Sequence, residues 1–537
     1  MQLSGKAFLS FTGFLQRQRT DKDVKRFIGI VIKIVFSRTM ITIILLLVQL
    51  FWLLAGFKWL REYSQVFFAV MVAISAALLV YIINKDEMPE FKLAWVIPIC
   101  VAPVFGALLY LFIVGDWTNI GMKKQLNKRR KETEQFLHTD EKTKKKMEIS
   151  NAHMANLSHY VETEGGFPTY GNSSVTYFPT GEDKFIDLLE ELRKAKEFIF
   201  LEYFIVERGK MWDSVLEVLK NKIKEGVEVR FMYDGMCSIL LLPYSYPKQL
   251  NAYGIKTKMF SPIIPLLSTA QNNRDHRKIV VIDGKTAYTG GINMADEYIN
   301  EVVRFGHWKD AAIKVEGEAV KSFTLMFLQM WNASESESED YSRYIVQNQK
   351  CTVRSSGFVI PYGDGPSTSE NVAETIYMDI VNQATSYVHI MTPYFIVDNA
   401  MLDVLQYAAR RGVDVRLIIP HIPDKKAVFA ISRTYYPDLL EAGVRVYEYE
   451  PGFIHAKIFA SDDEKAVVGT VNLDYRSLYH HFECGTYLYR NEAVADVEED
   501  FRKVLESCIE VNMEYYKNIP VINRLMGRVL RLFGPLM

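Results

Sequence analysis

The chain has 537 residues, enough for roughly three or four domains. Hydrophobic residues make up 49%, which supplies a sizeable core and excludes a disordered chain. Lys and Arg total 63 against 64 Asp and Glu, so the chain has no global basic field, and general nucleic-acid binding is disfavoured. Cys100, Cys237, Cys351, Cys484 and Cys508 form no CxxC pair, against a disulfide framework or a thiolate zinc site and for a reduced compartment.

The long apolar runs crowd into residues 1–117. Met40–Phe57 and Val66–Ile83 are each uncharged for 18 residues, and Leu93–Val114 for 22. A hydrocarbon core of about 30 Å takes about 20 helical residues, so three membrane spans are expected in a multi-pass anchor. Pro98, Pro103 and Gly106 predict that the third run is kinked or closely packed. Basic residues flank both ends of the region, eight before the first run and six within 20 residues after the third. The positive-inside rule asks for both ends in the cytoplasm, whereas three spans put them on opposite sides. Residues 118–175 are charged and read as a juxtamembrane linker whose lysines face anionic head groups or solvent.

The remainder repeats itself. Strand-like Phe198–Val206 leads into a helical pattern ending at Gly226 and a strand ending at Asp234. Tyr387–Val397 leads into a second helical pattern ending at Gly412 and a strand ending at Pro420. Strand–helix–strand units of this size predict α/β domains with mixed, largely parallel sheets and flanking helices, over 176–345 and 350–515. The basic, apolar segment 516–537 fits a helix lying on a membrane or one docked on the protein.

Each repeat carries the same polar cluster. His276, Lys278 and Asp283 are followed by Gly290-Gly291 and Asn293; His455, Lys457 and Asp462 by Gly469-Thr470 and Asn472. One HxKxxxxD is a weak signal. Two copies, each with Asn at the same offset from His, are a strong one. On a strand, His and Lys at i and i+2 share a face, so two repeats deliver two imidazoles and two ammoniums to one spot. That set suits a phosphodiester: Lys278 and Lys457 supply charge, and Asn293 and Asn472 supply amide donors. One His attacks phosphorus while the other serves the leaving alkoxide as acid. Asp283 and Asp462 complete the motif and read as framework carboxylates.

A working imidazole also needs its second nitrogen held. Glu483, just past the Asn472 turn in the strand-like segment HFECGTYLYR, is assigned to His455. The offset from His455 to Glu483, counted from His276, lands on Arg304, so Asp310 is assigned to His276, with Glu297 and Glu301 as alternatives. His138, His153, His159, His307, His389, His421, His480 and His481 are given ordinary surface or core roles. Tyr203 and Tyr394 either line the site entrance or simply pack.

The paired clusters resemble the phospholipase D superfamily. The segment LAWVIPICVAPVFGALLYLFIVGDW, with TPYF at Thr392–Phe395, GTVNLDYRS at Gly469–Ser477 and HFECG at His481–Gly485, resembles bacterial cardiolipin synthases over roughly residues 90–537. The resemblance implies a cell-membrane enzyme with a cytoplasmic catalytic part. It would transfer a phosphatidyl group between two phosphatidylglycerol molecules, giving cardiolipin and glycerol through a phosphatidyl-histidine, with no metal or other cofactor. It inclines to His276 as nucleophile without excluding His455. A hydrolytic phospholipase D, or a transferase using another alcohol, would carry the same cluster.

Overall fold

The computed structural model describes residue 47 and residues 63–114, 117–237, 241–262, 272–346, 355–368 and 370–536. The described chain falls into two compact units. Of the described residues, 47 and 63–114 lie in one, and 117–262 with 272–536 in the other.

In the first unit the expected run Met40–Phe57 lies outside the described residues. Val66–Ile83 falls in helix α1 (Tyr63–Asn84). Leu93–Val114 is not one helix but two, α2 (Pro89–Val101) and α3 (Pro103–Val114), broken at Ala102. They fold back on one another: Trp95 meets Tyr110 edge-on at 5.4 Å. Gly106 crosses so tightly that a Cβ there would stand 2.6 Å from the Ile99 Cα. The break follows from Pro103, which disfavours helical backbone at the residue before it. Each arm rises about 18–20 Å, and the apolar part of α1 about 27 Å, against a hydrocarbon core of about 30 Å. No helix among the described residues is long and apolar enough to cross a membrane, so the expected multi-pass anchor is not supported by them.

The second unit begins with a correction to the linker. Helix α4 (Trp117–Glu134) belongs to this unit and turns Arg129 fully inward. The Arg129 guanidinium donates to the carbonyls of Asn332 (3.0 Å) and Glu335 (2.6 Å). Leu126, Leu137, Met147, Met154 and Leu157 are buried as well. The charge count hid this, because a few inward residues per helix suffice to dock it.

Strands β1 (Ser173–Phe178), β2 (Phe198–Tyr203), β3 (Glu228–Asp234), β4 (Lys256–Phe260), β5 (Ile279–Ile282), β6 (Thr286–Gly290), β7 (His307–Lys309) and β8 (Ala312–Gly317) make up the first repeat. All but β7 form a sheet in the order β1-β8-β6-β5-β2-β3-β4. The second repeat supplies β9 (Phe358–Asp364), β10 (Tyr387–Met391), β11 (Phe395–Ile396), β12 (Asp414–Pro420), β13 (Arg445–Tyr449), β14 (Gly452–Ile454), β15 (Ile458–Ser461), β16 (Lys465–Gly469), β17 (Leu473–Asp474), β18 (Glu483–Tyr489) and β19 (Cys508–Val511). Its sheet runs β9-β18-β16-β15-β10-β12-β13-β19, the same order with one strand added. The expected strand–helix–strand units are present as β2 to β3 and β10 to β12, both parallel pairs. The intervening helices Lys210–Lys224 and Asn399–Arg410 are followed closely by Gly226 and Gly412, with φ of +89° and +98°.

The sheets are mixed, but not largely parallel. Within these two sheets only β2–β3–β4 and β10–β12–β13 run parallel and the other pairings are antiparallel; the short pairs β7–β14 and β11–β17 outside them are parallel. The cause lies in the motif itself. Asp283-Gly284 (φ +53° and +63°) and Asp462-Asp463 (both +55°) form tight hairpin turns that send each motif strand straight back.

Candidate active site

The two motif aspartates anchor the frame rather than the chemistry. The Asp283 carboxylate accepts the backbone N–H groups of Lys196, Glu197 and Phe198 at 2.8–2.9 Å. That of Asp462 accepts those of Thr385, Ser386 and Tyr387 at 2.7–2.9 Å. Each therefore pins the start of the neighbouring antiparallel strand, β2 or β10. These bonds fit the framework role read for both from the sequence.

His276 and Lys278 lie just before β5, and His455 and Lys457 just before β15. These lead-in segments pair across the repeats. The His276 N–H donates to the Phe482 carbonyl at 2.9 Å, and the His455 N–H to the Lys309 carbonyl at 2.6 Å. The residue after each acceptor is a carboxylate, and it meets the imidazole. Glu483 takes His276 Nδ1 at 2.8 and 3.0 Å. Asp310 takes His455 Nδ1 at 2.7 Å. Both predicted carboxylates are thus at the site, but the pairing is the reverse of the one expected: each belongs to the histidine of the other repeat. They are equivalent positions, since Gly290 pairs with Ala312 as Gly469 pairs with Gly485. Asp310 lies farther along the chain from His276 than Glu483 does from His455, so a fixed offset missed the equivalence. Glu297 pairs with Arg304 at 2.7 Å and Glu301 with Lys210, away from the imidazoles.

Both lysines fold back so that Nζ donates to the carbonyl of their own histidine. Burial pushes the Lys278 ammonium down to about 8, against the pull of Glu483 and Asp310. It pushes Lys457 down to about 7, with Asp310 opposing and Lys278 adding repulsion. The lysines of the two repeats therefore share one electrostatic site. Burial also lowers both imidazoles, His455 to about 4 and His276 well below its usual range. Burial alone would raise the two carboxylates, but attraction to the histidines outweighs it and holds both low. At neutral pH the site holds ionised carboxylates and neutral imidazoles. With Nδ1 committed to a carboxylate, Nε2 is the ring nitrogen left for chemistry.

The two asparagines differ. Asn293 Oδ1 accepts from the Ile205 N–H at 3.0 Å, and its Nδ2 donates to the Tyr298 hydroxyl at 2.7 Å, so most of its amide serves the first repeat. Asn472 is buried, and its Oδ1 has no hydrogen-bond partner. Tyr203 is core, its hydroxyl accepting from Lys184 at 3.1 Å, which makes it a packing residue. Tyr394 bonds Asp424 at 2.5 Å.

Sequence reasoning missed several contacts. His481, given an ordinary role, lies beside His276 with ring centroids 5.4 Å apart, and its Nδ1 is 3.6 Å from Glu483. The signal was its i, i+2 spacing from Glu483. Phe204 packs edge-on against His276 at 4.9 Å. Tyr298, Trp308 and Phe453 surround His455 at 5.4–5.9 Å, and nothing in their local sequence marks them. His389 and His421 fit the ordinary reading, bonded to Glu498 and Glu448. Among the described residues, the one cluster with metal-ligating potential is His276, His481 and Glu483, which is part of this same site.

Residues 188–331 and 377–505 match the family described as cardiolipin synthase, PLD-like domain, and residues 73–115 match the phospholipase D-nuclease N-terminal family. A cardiolipin synthase of Alkalihalophilus pseudofirmus is 35% identical over 85% of this chain and 91% of its own. Cardiolipin synthase 2 of Bacillus anthracis is 34% identical over 84% and 88%. The solved phosphatidylserine synthase of Haemophilus influenzae superposes with a TM-score of 0.53 at 15% identity, over 71% of this chain and 98% of that one; it shares the fold.

Proposed function

The chain belongs to the cardiolipin synthases of the phospholipase D superfamily and is a phosphatidyltransferase; on that premise we propose that it makes cardiolipin and glycerol from two phosphatidylglycerol molecules. The observation that carries this reading is the crossed pair His276–Glu483 and His455–Asp310, two imidazoles in one tautomer flanking two buried lysines.

One imidazole attacks the diester phosphorus through Nε2. A phosphorus–nitrogen bond forms as the bond to the glycerol oxygen breaks. The other imidazole, protonated when the anionic lipid enters, gives its proton to that oxygen. The free hydroxyl of a second phosphatidylglycerol then attacks phosphorus, loses its proton to the same imidazole, and displaces the histidine. Lys278 and Lys457 hold the non-bridging oxygens while charge moves between the entering and leaving groups. Asn472, whose amide makes none of the bonds that tie Asn293 to the first repeat, is the better placed of the two asparagines to turn an N–H toward the phosphate. Each carboxylate keeps its imidazole in the productive tautomer and stabilises the cation formed. The reaction takes place at the cell membrane, and we place the catalytic unit on its cytoplasmic side.

The test is the full-length protein in vesicles with headgroup-labelled phosphatidylglycerol as sole lipid substrate, in EDTA and without nucleotide. Cardiolipin and free glycerol in equal amounts are expected. Phosphatidic acid as the dominant product would replace the synthase reading with a hydrolase.

A further inference from the structure

The C-terminal helix (Val521–Arg531) sits on the catalytic unit inside out. Its docked face centres on Gly527, where an added Cβ would stand 2.4 Å from the Ala430 carbonyl oxygen of the helix Lys426–Ser432. At 100° per residue, Val521, Ile522, Leu525 and Val529 fall in one arc opposite that glycine, and Leu532 and Phe533 follow in the turn that ends the helix. All six are exposed, Leu525 to 57% and Leu532 to 59%. A surface helix ordinarily turns its apolar stripe to the core; here the stripe points away from it.

The rim of this arc is cationic. Lys517, Arg524, Arg528 and Arg531 stand in 513–536 against the single acid Glu514, and Lys425 and Lys426 are exposed on the neighbouring helix. Arg531 lies over the Tyr435 ring at 3.8 Å and pairs with Asp438 at 3.7 Å, and Arg524 lies over the Tyr516 ring at 5.5 Å, which holds both guanidiniums at the flank and leaves Arg528 as the rim's cation beside Lys425 and Lys426. A second copy of the chain would set this cationic rim against itself. An anionic lipid surface matches both parts: acyl chains for the apolar arc, head-group phosphates for the rim.

We propose that this helix is a bilayer-docking surface, lying in the plane of an anionic membrane interface with Leu525 and Val529 toward the acyl chains and Arg528 at head-group level. It fixes the catalytic unit to the membrane by a contact of its own, whichever alcohol the enzyme accepts.

The test uses full-length protein in vesicles of phosphatidylglycerol and phosphatidylcholine. A spin label is placed by Leu525→Cys in a background lacking Cys100, Cys351 and Cys508. A control label is placed by Lys503→Cys, at a site whose side chain is 69% exposed on another helix. The Leu525 label should collide several-fold more with dissolved oxygen than with a water-soluble nickel chelate, and the control label the reverse. Vesicles of phosphatidylcholine alone should weaken the Leu525 signal. Water-like collisions at Leu525 in anionic vesicles would overturn the proposal. So would protection from both reagents, which marks a protein contact. Equal insertion into phosphatidylcholine alone would contradict the role given to the cationic rim.

Discussion

The two halves of the site hold equivalent imidazoles by different means. Around His276 the support is mostly polar, with the single ring of Phe204 edge-on. Glu483 takes Nδ1 with both oxygens, Thr470 donates its hydroxyl to Glu483, and His481 stands alongside. Around His455 it is aromatic. Asp310 takes Nδ1 with one oxygen and the Ala311 N–H at 2.8 Å with the other, while Tyr298, Trp308 and Phe453 close around the ring. One position governs the difference. Thr470 occupies in the second repeat the place of Gly291 in the first, directly after the glycine that ends β6 or β16. A Cβ at Gly291 would come within 2.0 Å of Asp310 Oδ1, so the glycine is what lets that carboxylate reach its histidine. A duplicated fold can thus keep its strand order and chemistry while each half evolves its own way of fixing a ring.

If both halves serve one site, His276→Ala and His455→Ala should each cost turnover on the order of 10⁴-fold, and the double variant no more than either single. Independent sites would leave each single variant with about half its activity. Next come Glu483→Gln and Asp310→Asn, each expected to lower turnover on the order of 10²-fold with the fold retained, since each disturbs the tautomer without removing a ring. Gly291→Ala should resemble Asp310→Asn in kinetics, and an unaffected Gly291→Ala would remove the steric account.

The pH profile sharpens the comparison less than it tests the shared lysines. Because burial lowers both ammoniums, the charged form is lost as pH rises through about 7 to 8 in the empty site. kcat/KM should therefore fall on that limb, about tenfold per unit where one deprotonation governs. The limb for kcat should lie higher, since a bound phosphate favours the ammonium. Smallest is Thr470→Val, which removes the hydroxyl's bond to Glu483 along with its bonds to the Cys484 backbone at 3.0 and 3.1 Å; the bond to the charged acceptor is worth about 1.5 kcal/mol, roughly tenfold. It should slow both half-reactions, since His276 takes part in each.

Much of this was legible in the sequence. The repeat, the parallel strand pairs and the paired His and Lys follow from spacing, because period and punctuation are local. The orienting residues Glu483 and Asp310 were also found, because an imidazole in this chemistry needs a carboxylate. Their pairing was not legible, since it depends on short bridges between repeats, Asp275 with Phe482 and Ile454 with Lys309. The antiparallel majority of each sheet was hidden for a related reason: the tight turn at Asp283-Gly284 reverses the chain without disturbing the apolar pattern. The break in Leu93–Val114 was legible in Pro98, Pro103 and Gly106, whereas its hydropathy, averaged across the break, reads as one span.

The most direct measurement is a rapid quench of full-length enzyme with phosphatidylglycerol, followed by mass spectrometry of the peptides bearing His276 and His455. A single composite site predicts a phosphatidyl adduct on one of these histidines only, absent when the other rings are intact but that histidine is replaced. Adducts on both peptides in comparable yield, or none on either while cardiolipin accumulates, would contradict it.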